Sequence, residues 1–177
     1  MKQVYLLTGR PGTGKTSLVK QVVARMKGKA GGFYTEEIRT RGMREGFRLV
    51  TLDGEETILA HVSINSPYRV SKYGVDIEAL DRVGIPALRR AAQQGNLVVV
   101  DEIGKMELFS TAFRETVGQM VDSGTRILGT IMLSPNAWAD TIKRQPQVNL
   151  LTVTRDNHPQ VLAELLHWLG ITASPRP

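Results

Sequence analysis

Residues Gly9-Arg10-Pro11-Gly12-Thr13-Gly14-Lys15-Thr16 follow the spacing Gly-x4-Gly-Lys-[Ser/Thr] and come directly after the apolar run Val4-Tyr5-Leu6-Leu7. Residue types in that order hold a polyphosphate. The glycines let backbone N–H groups close around phosphoryl oxygens, Lys15 reaches the β- and γ-phosphates, and the Thr16 hydroxyl is an oxygen ligand for Mg²⁺. The stretch Ser17 to Met26 has helical periodicity, so the positive end of its dipole points at the anion. Far downstream, Leu97-Val98-Val99-Val100 is an unbroken apolar run suited to a strand buried on both faces, and it ends in Asp101-Glu102-Ile103-Gly104-Lys105. An aspartate there can hold Mg²⁺ together with Thr16, and Glu102 can orient or deprotonate an attacking water. The competing reading is that these acids only cap the next helix.

Whole-chain composition limits what else the protein is built for. With 177 residues, 41% of them hydrophobic, the chain is long enough for one substantial core, so a single domain over residues 1–172 with a short tail at 173–177 is expected. No apolar run approaches the roughly 18 residues of a membrane span, and no signal peptide is legible, so a cytoplasmic protein without a membrane partner is expected. Zero cysteines exclude disulfides and thiol chemistry. The three scattered histidines, His61, His158 and His167, argue against a zinc centre and leave Mg²⁺ as the expected metal.

The net charge of +6 raises nucleic acid as a partner, but its distribution favours a different account. Residues 1–35 hold seven Lys/Arg and no acid, whereas residues 36–90 hold nine of each sign. The excess therefore surrounds the phosphate loop and its helix, where a tetra-anionic nucleotide needs a positive field. Nucleoside triphosphates are the expected partners, nucleic acid the less favoured one, and a monomer the expected state.

Around these groups the chain alternates strands and helices. A strand at about 2–8 leads through the loop into a helix at about 15–27. Three strands joined by tight turns follow, at about 32–39, 47–52 and 57–62, with Arg41-Gly42 and Asp53-Gly54 at the turns. A loop carrying Pro67, Tyr68 and Arg69 then leads to a helix predicted from about 84 to 94, with Ile85-Pro86 at its start. The second half repeats strand and helix: strands at 97–100, 126–132 and 148–153, helices near 107–122, 138–144 and 158–169. Such βαβ units imply a three-layer α/β/α sandwich with ligands at the C-terminal ends of the strands, extended by an antiparallel meander.

The phosphate loop, Gly-Gly-Phe-Tyr-Thr-Glu-Glu-Ile-Arg at 31–39, Lys-Tyr-Gly-Val-Asp at 72–76 and Asp-Glu-Ile-Gly-Lys-Met-Glu-Leu at 101–108 together resemble the small P-loop nucleoside-triphosphatase family that includes the human cancer-related enzyme and its thermophile relatives. The resemblance runs across nearly the whole chain. It implies a RecA-like P-loop fold, Mg²⁺-dependent hydrolysis of ATP, GTP and other nucleoside triphosphates to diphosphate and phosphate, and two nucleotide-binding segments at Gly9–Thr16 and about Val98–Lys105.

Other residues carry two readings each. Glu36 and Arg39 either face the γ-phosphate or alternate on a solvent face. Lys105 either reaches transition-state oxygens or is an exposed lysine near a helix start. Arg69 or Lys72 either acts as an arginine-finger equivalent or belongs to a surface loop. Trp138 and Trp168 read as packing residues. The segment Thr154-Arg155-Asp156-Asn157 lacks the Asn-Lys-x-Asp pattern, which disfavours strict GTP selectivity. A nucleotide or small-molecule kinase and a nucleic-acid-associated regulatory ATPase are the alternative functions on the same loop.

Overall fold

The computed structural model describes residues 2–171, so the expected tail at 173–177 and the last residue of the expected domain lie outside it. Its strands form one sheet in the order β5-β6-β4-β3-β2-β7-β8-β1-β9. The parallel half contains β1 (Val4–Thr8), β2 (Ala30–Thr40), β7 (Leu97–Ile103), β8 (Ile127–Ile131) and β9 (Val148–Thr152). The antiparallel half runs from β2 through β3 (Met43–Thr51) and β4 (Glu56–His61) to β6 (Tyr73–Val75) and β5 (Arg69–Val70).

Alternation along β7 explains the layers. Val98 and Val100 belong to one core with Leu6, Phe33, Leu49 and Phe113, whereas Leu97 and Val99 belong to a second core with Leu7, Leu18 and Leu128. The first core takes its helical wall from α3 (Ile85–Gln93), α4 (Thr111–Asp122) and α5 (Ala137–Lys143); the second takes it from α1 (Lys15–Arg25) and α6 (His158–Trp168). A strand apolar at every position is what a sheet covered on both faces requires. Both tryptophans pack as the sequence suggests: Trp168 stacks on Tyr5 with ring centroids 4.3 Å apart, and Trp138 lies against the first core.

Three local expectations change. First, β2 is longer than expected and pairs with both halves, parallel to β7 (Phe33 beside Val100) and antiparallel to β3 (Phe33 beside Thr51). Second, the loop around Arg69 contains the β5–β6 hairpin, turning at Ser71, which takes a positive φ of 55°. Third, the helix expected at 84 begins with α2 (Ile77–Ala79), capped by the Asp76 carboxylate, which accepts from Ala79 N–H at 3.0 Å. Pro86 misleads because proline usually opens a helix. Here a π-helical turn at Leu80–Gly84, closed by Ile85 N–H to the Leu80 carbonyl, joins α2 to α3 ahead of it.

Phe113 is fully buried and meets Phe33 with ring centroids 6.4 Å apart, so it ties α4 to the strand that joins the two sheet halves. Phe113→Ala is expected to lower unfolding free energy by about 3–5 kcal/mol in urea titration, while Met43→Ala, at a residue 67% exposed, stays within about 0.5 kcal/mol.

Candidate active site

The loop at Gly9–Gly14 leaves the C-terminal end of β1 and delivers Lys15 and Thr16 as the first residues of α1. Its shape depends on residues without side chains. Gly14 caps α1 at φ 86°, a left-handed conformation, with the His158 ring packed where a Cβ would stand. Gly9 passes the Val153 carbonyl oxygen so closely that a Cβ would come within 2.5 Å of it. His158 also hydrogen-bonds through Nε2 to the Thr13 carbonyl, so the first turn of α6 braces the loop from behind. Within the loop, Thr13 Oγ1 donates to the Arg10 carbonyl at 2.9 Å, and the Lys15 ammonium donates to the carbonyls of Gly9 (2.9 Å) and Arg10 (3.0 Å). An ammonium has three N–H donors, so one remains for a ligand oxygen.

Thr16 and Asp101, far apart in the chain, meet: Thr16 Oγ1 donates to Asp101 Oδ2 at 2.8 Å. The other carboxylate oxygen accepts from Thr130 Oγ1 at 2.5 Å, and the Asp101 carbonyl accepts from Thr35 Oγ1 at 2.8 Å. The Asp101–Glu102 peptide is cis, and the β7–β8 register shifts between Val100 and Ile103. Hydroxyl and carboxylate oxygens side by side suit a hard cation such as Mg²⁺, which keeps several waters and needs few protein ligands.

A cavity of about 610 Å³ opens above these groups. It is lined by the loop residues Gly9, Pro11, Gly12 and Lys15, by Thr16 and Asp101, by Glu102, Lys105, Met106 and Glu107 from the end of β7 and the turn after it, and by Thr35 and Glu37 of β2. From the second expected binding segment, Asp101, Glu102 and Lys105 thus reach the cavity, whereas Val98, Val99, Val100 and Ile103 are fully buried in the two cores. Gly104 contributes its N–H, donated to Glu107 at 3.2 Å. Alternation on β2 puts Glu37 on the cavity face and Glu36 on the other, where it pairs with Lys20 at 3.0 Å. Arg39 is held by Glu37 at 2.7 Å, and Arg69 braces its own hairpin by donating to the Lys72 carbonyl at 2.9 Å.

Glu107, on a short 3-10 turn at Glu107–Phe109, is the group that sequence reading misses. It is buried, and loss of hydration together with the neighbouring Glu102 charge pushes its pKa from 4.5 up to about 8. Burial also raises the carboxyls of Asp101 and Glu102. For Glu102 the Asp101 charge adds to the rise and Lys15 opposes it; for Asp101 the hydroxyls of Thr130 and Thr16 oppose it. Three acids against one lysine make the cavity base proton-hungry, or receptive to a cation.

Glu107 has a sign-definite consequence for stability. Between 4.5 and about 8 the folded chain retains a proton that the unfolded chain has released, so stability falls as pH rises through that window. Glu107→Gln keeps an oxygen for Gly104 N–H and carries no titratable proton. In urea titrations with EDTA present, its stability relative to the parent chain should rise from pH 5 to pH 8.5 by a few kcal/mol; a constant difference across that range contradicts burial of a protonated acid.

Comparison with known proteins agrees with this architecture. A family model described as NTPase matches residues 4–166. Nucleoside-triphosphatase THEP1 of Thermotoga maritima is 46% identical over 164 residues, covering 93% of this chain and 94% of that protein. The human cancer-related nucleoside-triphosphatase is 38% identical over 182 residues, covering 94% and 96%. Among solved structures, the crystal structure of THEP1 from Aquifex aeolicus superposes with a TM-score of 0.86 at 36% identity, covering 94% of this chain and 99% of that one. The solution structure of the human protein gives 0.81 at 35% identity, covering 98% and 100%. A loop built for phosphate, an acid-ended β7 two strands away and a match over nearly the full length place this chain in the NTPase family, with THEP1 and the human cancer-related nucleoside-triphosphatase among its relatives.

Proposed function

We propose that the protein hydrolyses nucleoside triphosphates to diphosphate and phosphate with Mg²⁺. The observation that carries this reading is the 2.8 Å contact of Thr16 with Asp101 at the base of a cavity bounded by the glycine loop and by Glu102. In this reading the loop N–H groups and the start of α1 hold the phosphate chain, and the remaining Lys15 donor meets a β/γ oxygen. Thr16 and Asp101 hold Mg²⁺, which when bound neutralises charge on the β- and γ-phosphoryl oxygens.

Glu102 takes a proton from the attacking water. Its raised proton affinity, due to burial and to Asp101, suits that task, because a base whose pKa lies nearer the working pH accepts a proton more readily from water. Lys105, exposed and lining the same cavity, is the cation this reading sets against charge that develops on the γ-phosphoryl oxygens. Water is therefore the acceptor, and attack at the γ-phosphorus breaks its bond to the β-bridging oxygen. The names of the relatives support the activity; Mg²⁺ and breadth toward the base rest on the oxygen ligand set and on the missing Asn-Lys-x-Asp pattern. A cytoplasmic location, where triphosphates and Mg²⁺ are both available, belongs to the same reading.

Phosphate release measured with ATP, GTP, CTP, UTP and the matching diphosphates tests it. All four triphosphates should turn over, the diphosphates should not, and EDTA should stop the reaction. Lys15→Ala should abolish binding or turnover, whereas Glu102→Gln should bind triphosphate normally and lose about 10²-fold or more in kcat. Undiminished turnover by Glu102→Gln removes Glu102 from the mechanism.

A further inference from the structure

The phosphate cavity does not stop at the groups the hydrolysis uses. Past Glu102 its lining continues over Glu37, Arg44, Phe47, Val70 and Met106. A second cavity of about 580 Å³ shares Arg44, Phe47, Val70 and Met106 with it and is completed by Arg39, Met43, Ser71, Lys72 and Tyr73. The two spaces thus border on one shared wall. Resting on the reading proposed above, none of the residues assigned there to the phosphates, the metal or the attacking water (Gly9–Thr16, Asp101 and Glu102) lines this second space.

Its chemistry is specific. Arg39 and Arg44 share the one Glu37 carboxylate, at 2.7 and 3.0 Å, and Lys72 forms no ion pair among the described residues. Three cations thus face one carboxylate, which leaves an excess for an anion of about two charges. The rest of the wall is aromatic and thioether. Phe47 and Tyr73 meet edge to face with centroids 5.3 Å apart, and Arg44 fixes them: its guanidinium lies 5.3 Å from the Phe47 centroid and its Nε donates to the Tyr73 hydroxyl at 3.0 Å. Met43, 67% exposed, and Met106 add flexible apolar surface of the kind that adapts to a flat ring. A dianion beside a flat apolar wall describes a phosphorylated planar heterocycle.

We propose that this cavity is a second ligand site, distinct from the triphosphate site, that takes a nucleoside monophosphate or a small molecule of the same class. Its phosphate is held by Lys72 and the two arginines and its ring by Met43, Phe47 and Met106. The segments 31–39 and 72–76, which supply Glu37, Arg39, Lys72 and Tyr73, thereby gain a task that phosphate-loop chemistry alone does not give them.

The test uses the full chain saturated with Mg²⁺ and β,γ-imido-ATP, titrated with 2-aminopurine riboside 5′-monophosphate and followed by fluorescence anisotropy. The expected result is one saturable site while the imido analogue remains bound, with the unphosphorylated riboside at least tenfold weaker. The Lys72 side chain is exposed, forms no ion pair among the described residues and touches only the Tyr73 ring, 5.6 Å from its centroid, so its variants leave the fold intact. Lys72→Gln should weaken the monophosphate about threefold to fivefold and Lys72→Glu at least tenfold, Lys72→Arg should retain it, and imido-ATP affinity should stay within about twofold in all three. Absence of monophosphate binding, its displacement by imido-ATP, equal binding of the bare riboside, or indifference to Lys72→Glu overturns the second site. Failure of imido-ATP to bind overturns the triphosphatase reading instead, and the Lys72 series then decides the second site by itself.

Discussion

Asp101 is a carboxylate at 3% exposure, and satisfying it organises the site. Each polar atom of this residue that the geometry reveals is met from a different element: Oδ2 by Thr16 of α1, Oδ1 by Thr130 of β8, the main-chain carbonyl by Thr35 of β2. A buried carboxylate left without such donors costs several kcal/mol or takes up a proton. The three hydroxyls therefore do more than decorate the site. They make the phosphate loop, the central strand pair and the strand leading to the meander mutually dependent, so that misplacing any one leaves Asp101 unpaired.

The same burial sets the electrostatics. Asp101 and Glu102, at the end of β7 after its apolar run Leu97–Val100, and Glu107 just beyond the strand lie on one short stretch of chain, and each is held above its ordinary pKa chiefly by loss of water. Glu107, as buried as Asp101, is pushed up to about 8 and keeps its proton at neutral pH, which spares Glu102 a second full negative neighbour. Lys15 and the hydroxyls work in the opposite direction. The cavity thus combines an acidic base with a loop that seeks anions, and a metal–triphosphate complex is the ligand that answers both at once.

What the sequence reveals follows from how local the causes are. The phosphate loop is legible because its geometry is set within eight residues, by glycines that adopt positive φ and a lysine and threonine that must follow them. β7 is legible because both its faces are covered, which writes an unbroken apolar run. Glu107 is not legible: an acid two residues past Lys105 looks like a solvated helix start, and only the 3-10 turn that folds it back under Gly104 shows otherwise. The helix start at Ile77 hides for the opposite reason, since Pro86 gives a strong local signal that the π-helical turn before it overrides. That Glu37 and not the expected Glu36 lines the cavity depends on the phase of β2, and a strand that is polar on both sides at that point does not reveal its phase.

The phase of β2 also explains why the far wall of the cavity has the chemistry it has. Among the described residues, β2 is the one strand that pairs in parallel on one side and antiparallel on the other, so it carries the sheet from the nucleotide half into the meander without a break. Arg39, two residues on from Glu37, shares its face by the alternation of the strand; the register shift opposite Ile38 and Arg39 puts an extra residue, Glu45, on β3, and Arg44 comes back along β3 to the same carboxylate. Were the meander a separate subdomain on a linker, Glu37, Arg44 and Phe47 would have no fixed distance to Asp101. Because β2 is hydrogen-bonded to β7 as far as Tyr34 and Asp101, the cationic aromatic wall stands in rigid register with the acid that anchors the phosphate site. Any ligand bound against that wall is consequently held at a defined position relative to the γ-phosphate.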